Sequence, residues 1–144
     1  MGAEPYSYFV PYQSDINSAL QQLREREFRA GRYNPAMMFP THGGEEAAGA
    51  QHASIDEARM DAAEDGTRSI LDLDHVAEEP DFCAVSALDE ISLLKLYGTT
   101  QATCEQVEAD DSFLEHVDRG HGVYVITYRD GKPDQIYFGG YSFD

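Results

Sequence analysis

Four arginines lie in one short stretch near the start of the chain, Arg24, Arg26, Arg29 and Arg32, and Glu27 lies among them. A guanidinium group can bind a carboxylate or a phosphate through two parallel hydrogen bonds. The chain as a whole has 27 acidic residues and only 10 basic ones, so this gathering of cations is unusual within it. The chemistry that these residue types support is anion binding.

Glu27 falls in the apolar stripe of a helix that the periodicity predicts over residues 15–29, capped by Ser14. On a helical wheel it lies between Leu20 and Leu23. Because an isolated buried carboxylate costs several kcal/mol, Glu27 must be paired if the helix stays regular. We interpret it first as an ion pair that holds the helix on a sheet. The alternatives are a ligand pocket, and a helix that frays after Leu23 and turns Glu27 outward.

The expected partners of Glu27 are Arg24, Arg26 or a tyrosine hydroxyl from the sheet. Arg29 lies on the outer side of the predicted helix, four residues after Glu25, and the two should form an exposed ion pair. If Arg29 and Arg32 lack carboxylate partners, they would accept a phosphate or an acidic group. The candidate ligand-binding residues are therefore Glu27, Arg24, Arg26, Arg29 and Arg32.

Two further acids, Asp72 and Asp74, alternate in "TRSILDLDHV" (67–76), which predicts a strand with both carboxylates on one side about 7 Å apart. Carboxylates at that spacing could bind a divalent cation or act as an acid and a base. In a chain with 27 acids, we favour a solvated strand face instead. We therefore predict neither a metal site nor an acid–base pair at Asp72 and Asp74.

Other potentially reactive side chains form no recognised site. His116 and His121 are five residues apart, which does not match a helical metal-binding pair. Cys104 follows a predicted helix cap at Thr103, but the acidic residues after it oppose thiolate formation. No Walker loop, GxGxxG, GxSxG, HExxH, EF-hand or zinc-ligand pattern occurs. We predict no catalytic residue, no metal and no cofactor, and Cys83 should lie in the core.

The elements that must position these residues follow the order β, α, loop, α, β, α, α, β, β. A strand at 5–12 precedes the arginine-bearing helix, and "SIDE" (54–57) is a capping box that begins a second helix. Ser86 should cap a helix that ends at Tyr97, and the helix after Thr103 should run to about Arg119. The chain ends in a β-hairpin around "DGKPD".

This order predicts an α+β fold. We expect a mixed or antiparallel sheet of about four strands, with a C-terminal β-hairpin and three to four helices covering one face. The length fits a single domain, 1–144, with an irregular and mobile loop at about 34–53. Two cysteines without a CxxC spacing, and no secretory signal, predict a cytoplasmic protein.

The net charge of -17 is the strongest global feature. It repels nucleic acids and anionic lipids, and no run of apolar residues is long enough to span a membrane. We therefore expect no direct nucleic-acid binding and no membrane association. An acidic surface can steer a basic protein partner, or it can serve solvation at high salt.

The favoured hypothesis is a small acidic binding protein of the immunity or inhibitor type that docks a basic protein partner. Its contact residues are expected on the 72–81 and 105–118 segments, namely Asp72, Asp74, Asp81, Glu105, Glu108, Asp110 and Asp111. One alternative is an enzyme or small-ligand-binding protein with a pocket around Glu27 and its arginines. The other is a soluble domain whose acidity reflects adaptation to high salt.

Overall fold

The computed structural model describes residues 3–37, 40 and 49–143. Within these residues, five strands form one mixed sheet, in the order β1-β5-β4-β3-β2. The strands are β1 (Pro5–Pro11), β2 (His75–Val76), β3 (Ala84–Ala87), β4 (Gly122–Arg129) and β5 (Lys132–Tyr141). β1, β5 and β4 are antiparallel, and β4, β3 and β2 are parallel. The predicted α+β class and C-terminal hairpin are confirmed, with five strands where about four were expected.

The C-terminal hairpin turns through Asp130 and Gly131, which both have positive φ angles of 53° and 77°. Two such residues form the tight turn whose twist matches the two flanking strands. β5 therefore begins at Lys132, directly after this two-residue turn. β5 then runs between β1 and β4, and so forms the centre of the antiparallel half of the sheet.

In the described residues, four helices accompany the sheet: α1 (Ile16–Ala30), α2 (Ile55–Ala62), α3 (Glu90–Tyr97) and α4 (Cys104–Ala109). The same residues include three short 3₁₀ segments at Ala63–Asp65, Ile70–Asp72 and Ser112–His116. α1 ends at Gly31 in the left-handed conformation. No helix in the described ranges is both long enough and apolar enough to cross a bilayer.

Helices pack on both faces of the sheet, so the prediction that they cover one face is wrong. Side chains alternate along β5, with Ile136 and Phe138 in one core and Tyr137 in the other. α1 contributes Leu20 and Leu23 to the first core. α3, α4 and the last 3₁₀ segment contribute Leu93, Val107 and Phe113 to the second. The result is a three-layer arrangement with the sheet in the middle.

The predicted strand at 67–76 is mostly wrong. Residues Ile70–Asp72 form a 3₁₀ turn, and only His75–Val76 join the sheet. Ile70, Leu71 and Leu73 are all buried, so burial does not alternate along the segment. The Ser69 hydroxyl accepts a hydrogen bond from the Leu71 amide. Such local bonds to the backbone compete with pairing to a neighbouring strand.

Three helix boundaries differ from the predictions. The Asp15 carboxylate, rather than Ser14, caps α1 by accepting from the Ser18 amide at 3.1 Å. Asp89 caps α3, because Ser86 lies within the buried strand β3. The capping box of Thr103 is confirmed, but α4 ends at Ala109 instead of near residue 119.

The predicted irregular loop at about 34–53 is described only at 34–37, 40 and 49–53, and those residues contain no helix or strand. Residues 38–39 and 41–48 lie outside the described residues. The loop returns to the end of α1, where the amides of Gly49 and Ala50 donate to the carbonyls of Ala30 and Arg29. The backbone of residues 49–50 therefore lies close to the backbone at the end of α1.

Candidate functional site

The helical layer formed by residues 88–118 carries a large share of the net negative charge of -17, and we call it the acidic layer. It holds eight carboxylates against Lys95 alone, a formal charge of -7. Seven of those carboxylates belong to exposed residues: Asp89, Glu90, Glu105, Glu108, Asp110, Glu115 and Asp118. They project into solvent from one side of the sheet, where α3 and α4 pack. Only Lys95 offsets the repulsion among these carboxylates, so the surface attracts cationic groups.

The opposite side of the sheet has mixed charge. The α1 segment, residues 16–32, has four arginines and two glutamates, a formal charge of +2. The segment 55–65 around α2 has five acids and Arg59, a formal charge of -4. Six of the eight arginines lie between residues 24 and 68, and none lies in the acidic layer. The clustered arginines are therefore separated in the sequence from the carboxylates of the acidic layer.

Two large apolar side chains are exposed within the acidic layer. Ile91 is 70% exposed and Leu94 is 52% exposed, and both belong to α3. Three residues apart on a helix, they lie on the same face. Asp89 and Glu90 begin that helix, and Lys95 lies near its end. An apolar centre with a charged rim is the usual anatomy of a protein interface.

Five of the seven candidate contact residues divide into three groups by position and exposure. Glu105, Glu108 and Asp110 are exposed on the acidic layer, as the hypothesis requires. Asp111 belongs to the same layer but is half-buried, and its carboxylate accepts from the Tyr137 hydroxyl at 3.1 Å. Asp81 is exposed, but it lies in the connection between β2 and β3.

Asp72 and Asp74 do not form the predicted exposed strand face. Asp72 is 1% exposed, and its carboxylate accepts from the amide and the hydroxyl of Thr67 at 2.8–3.1 Å. Burial raises the pKa of Asp72, although these hydrogen bonds act against the shift. Asp74 is paired with Arg59 at 2.9 Å and with His75 at 2.5 Å. Asp72 is therefore a structural group that organises the 67–73 turn.

Arg59 is a structural residue that sequence reasoning missed. Besides its ion pair with Asp74, it donates to the Asp72 carbonyl at 3.2 Å and approaches the Cys83 sulfur at 3.6 Å. The three partners follow Arg59 in the chain by 13, 15 and 24 residues. No spacing in the sequence indicates such a meeting, because it depends on the 3₁₀ turn and the short strand β2.

A second missed set joins the described end of the irregular loop to the core. The hydroxyl of Tyr33, a fully buried residue, lies 2.8 Å from His52 Nδ1 and accepts from the Gln51 amide at 3.0 Å. His52 Nε2 lies 2.9 Å from the Asp61 carboxylate on α2. These contacts bind residues 51–52 to the segment that follows α1 and to α2, so they explain how the loop returns to the domain.

Glu27 points inward, as the helical wheel predicts, and it is fully buried. Arg32 donates to both carboxylate oxygens, at 2.9 and 2.7 Å, and Arg26 donates from Nε at 3.0 Å. Burial acts to raise the pKa of Glu27, but the hydrogen bonds from Arg32 and Arg26 outweigh it and hold the pKa below its ordinary value. Arg26 was an expected partner of Glu27, whereas Arg32 was not, and its condition for anion binding, the lack of a carboxylate partner, is not met.

The remaining arginines take separate roles. Arg29 forms the predicted exposed pair with Glu25 at 2.7 Å. Arg24 is buried and donates to the Leu71 carbonyl at 2.9 Å and to the Gln21 side chain at 2.8 Å. Burial lowers the pKa of Arg24, and the positive charge of Arg59 adds to the effect. The five candidate ligand-binding residues thus lie on one helix end but do not converge on one point.

The cysteines and histidines do not assemble a reactive site. Both cysteines are free thiols, and burial raises the pKa of each, with Glu105 adding to the effect at Cys104. Cys83 is half-buried, where a core position was predicted. His121 lies 3.1 Å from the Arg119 carbonyl. Within residues 3–37, 40 and 49–143, no group of three or more His, Cys, Asp or Glu side chains could hold a metal ion.

Comparison with known proteins adds no relative to this picture. No protein-family model matches the chain, and neither a curated protein nor a solved structure is significantly similar to it.

Proposed function

We propose that this chain is a small acidic binding protein that docks a basic protein partner on its acidic layer. The observation that supports it is the combination, on one layer, of eight carboxylates, a single lysine and two exposed apolar side chains. An immunity or inhibitor protein for a cationic toxin or nuclease is the concrete form of the proposal. The free thiols of Cys83 and Cys104 suit a reducing compartment such as the cytoplasm.

The carboxylates and the exposed apolar side chains of the acidic layer would have different roles in binding. The carboxylates accelerate encounter with a cationic partner, because complementary potentials raise association rates more than they raise affinity. Ile91 and Leu94 would then lose water at the centre of the contact and supply the favourable free energy of apolar burial. A solvation role at high salt needs the charges but gives no reason for exposed apolar residues among them.

The test is capture of the native partner from a lysate of the source organism at low salt, with three proteins compared. The wild type should retain a protein of basic isoelectric point. The triple variant Glu105→Gln, Glu108→Gln, Asp110→Asn should retain at least tenfold less of it. The matched control Asp56→Asn, Glu64→Gln, Asp65→Asn removes the same charge from exposed positions elsewhere and should retain as much as the wild type.

A second pair of variants separates the apolar centre from the charge. Ile91→Ser with Leu94→Ser should lose the partner at low and at moderate salt alike. Met60→Ser removes another exposed apolar side chain, on α2, and should have no effect. Equal loss in the acidic-layer triple and its control would mean that only total charge matters, which contradicts the proposal. So would capture of an acidic or neutral protein that both triples retain.

A further inference from the structure

A small cleft opens between the end of β1 and the outer part of α1. Its volume is about 250 Å³, and its walls include Val10, Leu23, Gln13, Gln22 and Arg26. This volume is below the roughly 300–1,000 Å³ of clefts that hold drug-sized ligands, so any ligand must be small. Arg26 is the one formally charged residue that lines the cleft. The cleft is therefore cationic in a chain whose net charge is -17.

The guanidinium of Arg26 is held by the buried Glu27 carboxylate. Its Nε donates to Glu27 Oε2 at 3.0 Å, and Arg32 fixes the same carboxylate with two more hydrogen bonds. Arg26 is 46% exposed, and in the described part of the chain its two terminal nitrogens donate to no side chain or carbonyl. A bound Nε with two available terminal nitrogens is a preorganised anion receptor, since little side-chain entropy remains to be lost.

A second donor lies beside it. Gln22 precedes Arg26 by four residues, so the two side chains lie on the same face of α1. The Gln13 amide nitrogen donates to the Gln22 carbonyl oxygen at 3.4 Å, which directs the Gln22 NH₂ group away from Gln13. That NH₂ group has no hydrogen-bond partner in the described ranges. A carboxylate could therefore receive hydrogen bonds from Arg26 and Gln22 together.

We infer that this cleft binds a small monocarboxylate with a short apolar tail. The single guanidinium matches one negative charge, and Val10 and Leu23 offer apolar walls for the tail. A dianion such as sulfate suits the cleft less, because it has no apolar part and the surrounding chain is strongly negative. On this account Glu27 is a positioning residue, and the cleft acts independently of the acidic layer on the other side of the sheet.

The probes are sodium butyrate, sodium acetate and sodium sulfate, titrated into isotopically labelled full-length protein at constant ionic strength. Butyrate should cause saturable NMR shifts in the side-chain amides of Gln13 and Gln22. Acetate should bind the same place about tenfold more weakly, because two fewer methylene groups are buried. Arg26→Gln should weaken butyrate binding at least tenfold. Arg29→Gln removes an exposed arginine paired with Glu25 and should leave binding unchanged.

Arg26→Gln leaves both hydrogen bonds from Arg32 to Glu27 in place, so the variant should fold. Gln22→Ala, at an exposed position, is the second variant and should weaken butyrate several-fold. The inference is overturned if the shifts stay linear in butyrate, if sulfate binds as tightly as butyrate, or if Arg29→Gln weakens butyrate as much as Arg26→Gln does.

Discussion

Replacing Glu27 with glutamine should lower the free energy of unfolding by about 3 kcal/mol, because removing one partner of a buried ion pair leaves a charge without compensation. Arg32 is the group most affected, since its side chain is only 12% exposed and it donates two hydrogen bonds to Glu27. Arg26 is half exposed and can turn to water. Urea denaturation at neutral pH measures the difference between the variant and the wild type.

The same variant carries a pH signature. The pKa of Glu27 is held below its ordinary value in the folded protein, so its ionised form stabilises the fold at pH values above the unfolded pKa, which is about 4.3. This stabilisation is lost as the pH falls through the lower folded pKa. The gap in unfolding free energy between wild type and Glu27→Gln should therefore be widest near neutral pH and should narrow below about pH 4.

The matched control is Glu25→Gln, which breaks the exposed pair with Arg29 on the same helix. Exposed pairs of this kind contribute only about 0.3–0.5 kcal/mol, so the control should be close to the wild type. Equal destabilisation by Glu25→Gln and Glu27→Gln would mean that the inward ion pair contributes no more than a surface pair. That result would remove the explanation of why Glu27 lies in an apolar stripe.

Gly31→Ala should also be strongly destabilising, by about 3 kcal/mol in total. Gly31 ends α1 at φ 81°, a left-handed conformation that costs other residues roughly 1–2 kcal/mol. A β-carbon there would lie 2.3 Å from the carbonyl oxygen of Gly49. Relief of that contact needs a shift of backbone, and overpacking of this kind costs about 1–3 kcal/mol more. Thermal and urea denaturation both report the loss.

Gly98→Ala provides the control, because Gly98 ends α3 in the same conformation at φ 72° and a β-carbon there would meet nothing within 4 Å. It should cost only the conformational part, roughly 1–2 kcal/mol. The difference between the two variants isolates the close approach of residues 49–50 to the end of α1. If Gly31→Ala and Gly98→Ala destabilise the protein equally, that close approach contributes nothing.

The parts of the fold that were predicted from sequence are those set by local rules. α1 follows from its 3.6-residue periodicity, and the same periodicity placed Glu27 inward. Asp130 and Gly131 carry the turn preference of the hairpin. The capping box at Thr103 also depends only on residues three apart. In each case the deciding contacts lie within a few residues of one another.

The errors arise where side-chain contacts outside the helix and strand periodicities, or the packing of an element, decide the structure. The alternation in 67–76 indicated a strand, but Asp72 bends the chain by accepting hydrogen bonds from Thr67. Arg32 was a candidate for anion binding only if it lacked a carboxylate partner. Its pairing with Glu27 was not predicted, because Glu27 lies five residues away, beyond the i, i+4 spacing of helical neighbours. The exposure of Ile91 and Leu94 depends on which face of α3 packs against the sheet, and the local sequence of α3 does not determine that face.

The exposed carboxylates of the acidic layer were predicted from the sequence only in part. Glu105, Glu108 and Asp110 were singled out from their density in the sequence, and they are exposed. Asp72 was singled out on the same grounds and is buried. Composition cannot distinguish the two cases, because a carboxylate in a chain with 27 acids is recognised as buried only when its hydrogen-bond donors are known.

The central proposal, that a cationic partner docks on residues 88–118, is tested most directly by association kinetics of the captured partner. The association rate constant should fall at least tenfold between 20 and 200 mM salt, because screening shortens the reach of the acidic layer. In the triple variant Glu105→Gln, Glu108→Gln, Asp110→Asn it should be slower and less sensitive to salt. An association rate that is the same at both salt concentrations, or a triple variant that keeps the salt dependence of the wild type, would contradict the proposal.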